Sequence, residues 1–250
     1  MLVVVSPAKK LDMDPVAGVQ PTQPMFPERT RELVTEAAKL TSGELEKLMK
    51  ISPNLAKLNQ QRFSDFGSQD RKPAAFAFAG DTFQGLEVAT LDADALRWAQ
   101  EHLRILSGLY GVLRPLDEIE PYRLEMGSRL KTEHGKNLYE YWGSELALEL
   151  STQAKPTKST AVINCASQEY FQAVDTRSLA VPVISPVFME NTEKGPKIIS
   201  FYAKRARGAM ARFVVSNRIA TPAELCDFDA GGYRYEPDLS SENKPVFLRG

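Results

Sequence analysis

Leu2-Val3-Val4-Val5-Ser6-Pro7 opens the chain, and a second apolar run, Ala161-Val162-Ile163-Asn164-Cys165, recurs far along it. The first is apolar throughout, β-branched at Val3, Val4 and Val5, and is closed by Ser6-Pro7. Runs of this kind are apolar on both faces and are read as strands buried inside a sheet. Helical periodicity lies between and beyond them. Thr30 to Lys50 carries Leu33, Ala37 and Leu40 on one helix and Leu45, Leu48 and Met49 on a second. Thr41 followed by Glu44 is a capping-box pattern for the second of these. Ser52-Pro53 opens a further helix, with Leu55 and Leu58 expected inward. Leu91 to Leu106 and Ala203 to Asn217 read as two more helices. Pro73 to Gly80 alternates Phe and Ala and is expected as a strand with Phe76 and Phe78 on one face. Val181–Phe188 and Lys197–Tyr202 are expected as a strand pair joined at Glu193-Lys194-Gly195, and Val246-Phe247 as a terminal strand. Asp12 to Pro27, with four prolines and no period, reads as a surface loop. The sum is one mixed α/β (α+β) domain over residues 1–250, without repeats and without a Gly/Ser-rich linker.

Composition narrows the function classes. The 31 Lys+Arg and 32 Asp+Glu give a formal charge of −1, which excludes a globally basic DNA-coating protein but leaves room for a local basic face. Apolar residues at 43% and charged residues at 25% fit an ordinary globular domain. The two cysteines, Cys165 and Cys226, exclude a disulfide scaffold and a Cys-rich zinc site. No leader pattern precedes Leu2 and no long apolar window exists, so a cytoplasmic address is expected.

The densest charge lies on Phe201 to Arg218. From Lys194 to Pro222 there are seven basic residues and no acidic one. Wound as a helix, Ala206, Ala209, Met210, Phe213 and Val214 share one face, and Lys204, Arg205, Arg207, Arg212 and Arg218 the other. Gly208 and Ala211 fall among the charges, so a phosphate backbone is expected to approach closely there. A same-sign cluster without interleaved acids repels itself and is relieved by a polyanion, which it would bind through counterion release and without base specificity.

Ser107-Gly108-Leu109-Tyr110-Gly111-Val112-Leu113-Arg114-Pro115 follows the Leu91–Leu106 helix. Two glycines so close make a tight hairpin whose backbone N–H groups could hold a phosphate, so residues 94–120 resemble a helix-hairpin-helix element. A glycine C-cap followed by a loop fits the same residues. Arg114 and Arg123 flank the segment as guanidinium forks.

Neither a dinucleotide-binding glycine pattern nor a P-loop occurs. His102 lies beside an apolar stripe and His134 on another element. Asn164-Cys165-Ala166-Ser167-Gln168-Glu169-Tyr170 follows the second apolar run, where ligands of α/β sheets bind, although Ser167 also suits a helix N-cap.

Four segments coincide in order: Ser6-Pro7-Ala8-Lys9, Leu106 to Asp117, Pro121 to Gly127, and Ile198 to Gly208. With them the chain resembles the peroxide-stress protein YaaA family from Met1 to about Phe247. The resemblance implies a cytoplasmic protein of hydrogen-peroxide defence that limits iron-linked damage. It also implies an unusual mixed fold, and DNA binding through a basic cleft and a helix-hairpin-helix element. Carried onto this chain, the hairpin role falls on Gly108, Leu109, Tyr110 and Gly111. The cleft role falls on Lys9, Arg114, Arg123, Lys204, Arg205 and Arg207. Lys10 stands where threonine is commoner and adds charge, and Arg212 joins from the helical wheel.

The expected partner is double-stranded or structured DNA, with DNA-repair proteins beside it, and no cofactor, catalytic residue or metal is expected. An enzyme acting on a nucleotide or damaged base is the alternative. Its pocket would use Tyr110, Arg114, Arg123, Asn164, Ser167 and Lys204, with Glu125 or Glu169 as general base. Iron held by carboxylates with His102 or His134 is a third expectation.

Overall fold

A computed structural model describes residues 1–250. β1 (Leu2–Val5) is the middle strand of a five-stranded sheet. It runs parallel to β3 (Leu103–Ser107) on one side and to β6 (Val162–Cys165) on the other, with Val3 beside both Leu103 and Ile163. The order is β4-β3-β1-β6-β7, where β4 (Gly111–Leu113) is antiparallel to β3 and β7 (Val183–Ile184) is parallel to β6. All four β1 side chains are fully buried, as their uninterrupted apolar sequence requires. Each such side chain contributes about 1.5–3 kcal/mol to the core.

Three helices follow β1: α1 (Pro27–Ala38), α2 (Ser42–Met49) and α3 (Pro53–Ser64). The Thr41–Glu44 capping box is present, with the Thr41 amide donating to Glu44 Oε2 at 2.8 Å. On α3 the buried face is Ala56, Asn59 and Phe63, whereas Leu55 and Leu58 are exposed, contrary to expectation. The inward stripe is shifted by one residue because Phe63, the largest apolar side chain on the helix, sets its rotation.

The Phe/Ala stretch is also corrected. Lys72–Pro73 is a short strand (β2) pairing with β5 (Glu118–Ile119), and Ala74–Ala77 is a helical turn, α4, with only Phe78 bridging to Leu11. Alternation of Phe with Ala is weak evidence for a strand, because alanine is a strong helix former. α5 (Asp81–Leu86) follows. The predicted Leu91–Leu106 helix is two elements: α6 (Ala93–His102), and then β3, which begins at Leu103.

Gly108 to Tyr110 is therefore the turn of a β-hairpin between β3 and β4, not the hairpin of a helix-hairpin-helix. A Cβ at Gly108 would sit 2.3 Å from the Leu124 carbonyl oxygen, and Gly111 has φ +73 with the Trp142 ring against it. Both glycines serve close packing inside the core.

The chain continues through α7 (Leu138–Trp142) and α8 (Glu145–Ala154) to β6, and then through α9 (Gln168–Phe171) to β7. A second sheet orders β8-β10-β9 from Val187–Glu190, Val246–Arg249 and Arg234–Tyr235, respectively. The expected strand pair around residues 181–202 is reduced to one bridge, Glu190 to Lys197, because α10 (Ser200–Ser216) already begins at Ser200. α10 is the central helix. It packs on β1, α6 and β8, and most closely on α5. The five- and three-stranded sheets and the two-stranded β2-β5 pair share one hydrophobic cluster with their helices, so the chain is a single α/β domain. No helix is long and apolar enough to cross a membrane.

Candidate functional site

The carboxyl ends of the parallel strands β1 and β6 open together. Ser6 leaves β1, and its Oγ accepts from the Ser167 amide at 2.8 Å, tying the two strand exits side by side. Beyond Ser6 the backbone runs through Pro7 and Ala8 along the wall of a cleft of about 300 Å³. Lys9 and Lys10 project from this wall, and Lys204 and Arg207 from α10 face them, with Asp81 and Glu169 as the carboxylates of the lining. Ligands of parallel α/β sheets bind where the strands end, and this is that edge of the sheet.

Arg207 is the least usual of these side chains. It is half-buried, burial pulls its guanidinium below the usual range, and the one titratable group close enough to act on it is the Cys165 thiol. Burial in turn pushes that thiol up to about 12, so it stays neutral at physiological pH. Arg207 is thus a desolvated cation with no carboxylate partner. A guanidinium cannot shed its proton to escape that cost, so an anion from outside the chain is what would satisfy it. Lys10, Lys204 and Arg205 also lack ion pairs and are exposed.

Other predicted cations are engaged internally. Arg123 Nε donates to Glu125 Oε1 at 2.9 Å, and Lys9 Nζ lies 3.5 Å from the same oxygen, on the flank of the cleft. Arg114 grips the buried Asp117 through Nε at 3.0 Å and Nη2 at 2.9 Å, and also binds the Gln23 carbonyl. Arg212 donates to the carbonyls of Leu86 and Glu87 at 3.1 and 3.0 Å, closing the C-terminal end of α5. Arg114 and Arg212 hold the fold together and do not face the cleft.

Gly108, Leu109, Tyr110 and Gly111 are buried. The Leu109 and Tyr110 amides donate to Ser107 Oγ at 3.2 and 2.9 Å, and the Tyr110 hydroxyl accepts from the Glu120 amide at 3.0 Å. These amides are satisfied within the core, so they cannot reach a phosphate. Gly208 and Ala211 are likewise covered. A Cβ at Gly208 would meet the Thr82 carbonyl at 1.8 Å, because α5 lies across that face of α10. A wheel drawn for a helix with one buried face could not show this second contact.

The alternative pocket is divided in the same way. Asn164 stitches its own loop, accepting from the Ala166 amide at 3.0 Å and donating to Ser185 Oγ at 3.2 Å. Ser167 sits at the N-cap of α9 without a side-chain cap bond. Glu169 accepts from the Gly127 amide at 3.1 Å. Glu125 Oε2 is buried and has no partner. Tyr110, deep in the core, does not join it. His102 stacks on Trp98, with Nδ1 3.1 Å from the Met1 carbonyl, while His134 is paired with Glu32 at 3.5 Å. No group of three His, Cys, Asp or Glu side chains is placed to hold a metal ion.

Asp81 and Thr82 complete the cleft with Cys165, and neither is marked by any signal in the sequence. Cys165 was legible only as the end of a buried strand, and nothing in its spacing announced Arg207.

Comparison with known proteins gives a consistent family. Residues 1–239 match the family model described as peroxide stress protein YaaA. The chain is 56% identical to a UPF0246 protein of Ruegeria pomeroyi, covering 100% of this chain and 98% of the relative. It is 57% identical to the UPF0246 protein of Roseobacter denitrificans, again over 100% and 98%. A UPF0246 protein of Jannaschia sp. is 54% identical over 100% and 97%. With a family model over nearly its full length and relatives of this identity, the chain belongs to the peroxide stress protein YaaA family.

Proposed function

We propose that the chain acts in the cytoplasm during peroxide stress by holding the phosphate backbone of DNA in the cleft between the Ser6–Lys10 segment and α10, limiting iron-linked damage to the strand. Lys10, Lys204 and Arg207 make the primary contacts, with Lys9 and Arg123 at the margins, while Arg205 lies on the other flank of α10 and outside the cleft. DNA-repair proteins would act on the same substrate. The observation that carries this is Arg207, a half-buried guanidinium with no acid beside it and two free lysines around the same opening. Contacts of this type fix the protein on the polymer without reading its bases.

The test is fluorescence anisotropy with a duplex across a salt series. Affinity should fall steeply with salt, and the Lys204→Ala/Arg207→Ala pair should bind about tenfold more weakly with a salt slope lower by about two. Affinity within about twofold of the unaltered protein would overturn the proposal.

An enzyme acting on a nucleotide is the second possibility, favoured by Glu125 Oε2, an unpartnered buried acceptor next to Arg123 and Lys9. Turnover of a nucleotide that is lost in Glu125→Gln, with phosphate affinity retained, would establish it in place of simple binding.

A further inference from the structure

A second depression is roomier than the phosphate cleft. It lies on the other flank of α10, a groove of about 580 Å³ between that helix and the three-stranded sheet. Phe201, Arg205, Ala209 and Phe213 form its helical wall, at the spacing that places them on one stripe. Tyr233 and Arg249 stand opposite. Phe201 and Tyr202 are large aromatic residues left 52% and 42% exposed, with ring centroids 5.6 Å apart. Arg249 is held flat by Glu190 at 2.8 Å, its guanidinium 4.4 Å from the Tyr202 ring and 4.9 Å from that of Tyr233. Arg205 has no acid partner. Glu87, the carboxylate of the lining, is drawn to Arg212 at 3.9 Å.

Exposed rings, a fixed guanidinium plane and a free cation together suit a flat, uncharged ring with a phosphate attached to it. Lys204 and Arg207 project from the same helix into the phosphate cleft, so a polyanion crossing α10 near its first turns would meet both sites. From Lys194 to Pro222 the chain offers only basic charge to such a partner.

We infer that this groove takes an unpaired base of single-stranded nucleic acid, stacked on the Phe201 ring, with Tyr202, inclined at 67° to it and capped by Arg249, closing the side of the base, and with Arg205 on an adjoining phosphate, while neighbouring phosphates occupy the cleft. The inference rests on the phosphate-binding proposal and adds its substrate class: single-stranded, frayed or gapped nucleic acid. A base in an intact duplex has both faces covered by its neighbours and cannot enter. Stacking on an aromatic platform is tolerant of sequence, because every base presents a flat face.

The experiment compares an oligothymidine, the same length of chain built from abasic residues, and a duplex of that length, all by anisotropy. Phe201→Ala/Tyr202→Ala should weaken oligothymidine binding about tenfold and leave duplex affinity and both salt slopes unchanged. The abasic chain should bind the unaltered protein about as weakly as oligothymidine binds the variant, a readout that needs no substitution. Equal affinity of the unaltered protein for oligothymidine and abasic chain overturns the inference, as does an equal fall on single strand and duplex. Loss of self-association in the variant with DNA affinity unchanged makes the groove a contact between copies of the chain and also overturns it. Duplex binding with none of the single-strand effects leaves the phosphate cleft standing alone, whereas binding of neither polymer removes both.

Discussion

Gly208 of α10 lies so close to Thr82 of α5 that a single added methyl carbon would sit 1.8 Å from the Thr82 carbonyl oxygen. Gly85 returns the contact, its added Cβ falling 2.1 Å from the Arg205 carbonyl. The two helices touch backbone to backbone, which places Lys204 and Arg207 on one flank and Phe201 and Arg205 on the other.

Gly208→Ala should therefore destabilise the fold by about 3 kcal/mol, the upper range for overpacking a rigid contact. Urea unfolding checks this, with Gly43→Ala as a control. Gly43, in α2, has nothing within 4 Å of its would-be Cβ, so its replacement should stabilise by about 0.5 kcal/mol.

Arg207→Met should raise stability in dilute buffer by about 1 kcal/mol, because it removes a desolvated charge that no acid offsets. Inorganic phosphate should raise the Tm of the unaltered protein more than that of the variant, since only the former gains a bound anion. Equal shifts in calorimetry would show that phosphate acts through the solvent and not at this cation.

Tyr110→Phe should cost about 1–2 kcal/mol, because the buried Glu120 amide loses its acceptor. Nucleic-acid affinity per folded molecule should not change, since the hairpin around Tyr110 is core. A selective loss of DNA binding at full stability would restore a direct role for this turn.

Cys165 should resist alkylation and peroxide in the native state. With its thiol pushed up to about 12, only about one molecule in ten thousand is thiolate at pH 8. Half-buried Cys226 should be labelled first, and both should react in urea. Mass spectrometry of each peptide reads the order.

The pH profile of stability should carry the mark of His102. Burial holds its imidazole below the usual 6.5, with the charge of the Met1 amino group adding to that effect. Between the folded and unfolded values the unfolded chain binds more protons. The His102 contribution is accordingly full well above pH 6.5 and declines as pH falls through and below it. The Met1 amine, also lowered by burial, adds a decline that begins nearer pH 8. Urea midpoints of His102→Gln measured from pH 7.5 to 5.5 should fall less steeply than those of the unaltered chain.

The central strands were legible because Leu2–Val5 and Val162–Cys165 are apolar on both faces, and the α2 cap because Thr41 and Glu44 stand at the required spacing. Lys9, Lys204 and Arg207 could be named as cations, and the structure brings them to one opening. Residue type alone could not separate them from Arg114 and Arg212. The partner of Arg114, Asp117, is only three residues away, but the partners of Arg212 are carbonyls of a distant helix, met only after folding. Gly108 and Gly111 misled for a related reason. Glycine marks a close approach without saying whether the visitor is a ligand or, as here, the Leu124 carbonyl and the Trp142 ring.

β1 and β10 are the middle strands of their sheets, at residues 2–5 and 246–249. Each sheet is thus keyed by a strand far from the other in sequence. Trimming either strand would not shave an edge but would split a sheet in two. Val3 must also wait for Leu103 and Ile163 before it has neighbours, so assembly depends on pairings between remote parts of the chain. Such topologies close slowly. A shortened version made for crystallisation or for a fusion should therefore keep residues 2–5 and 246–249 intact.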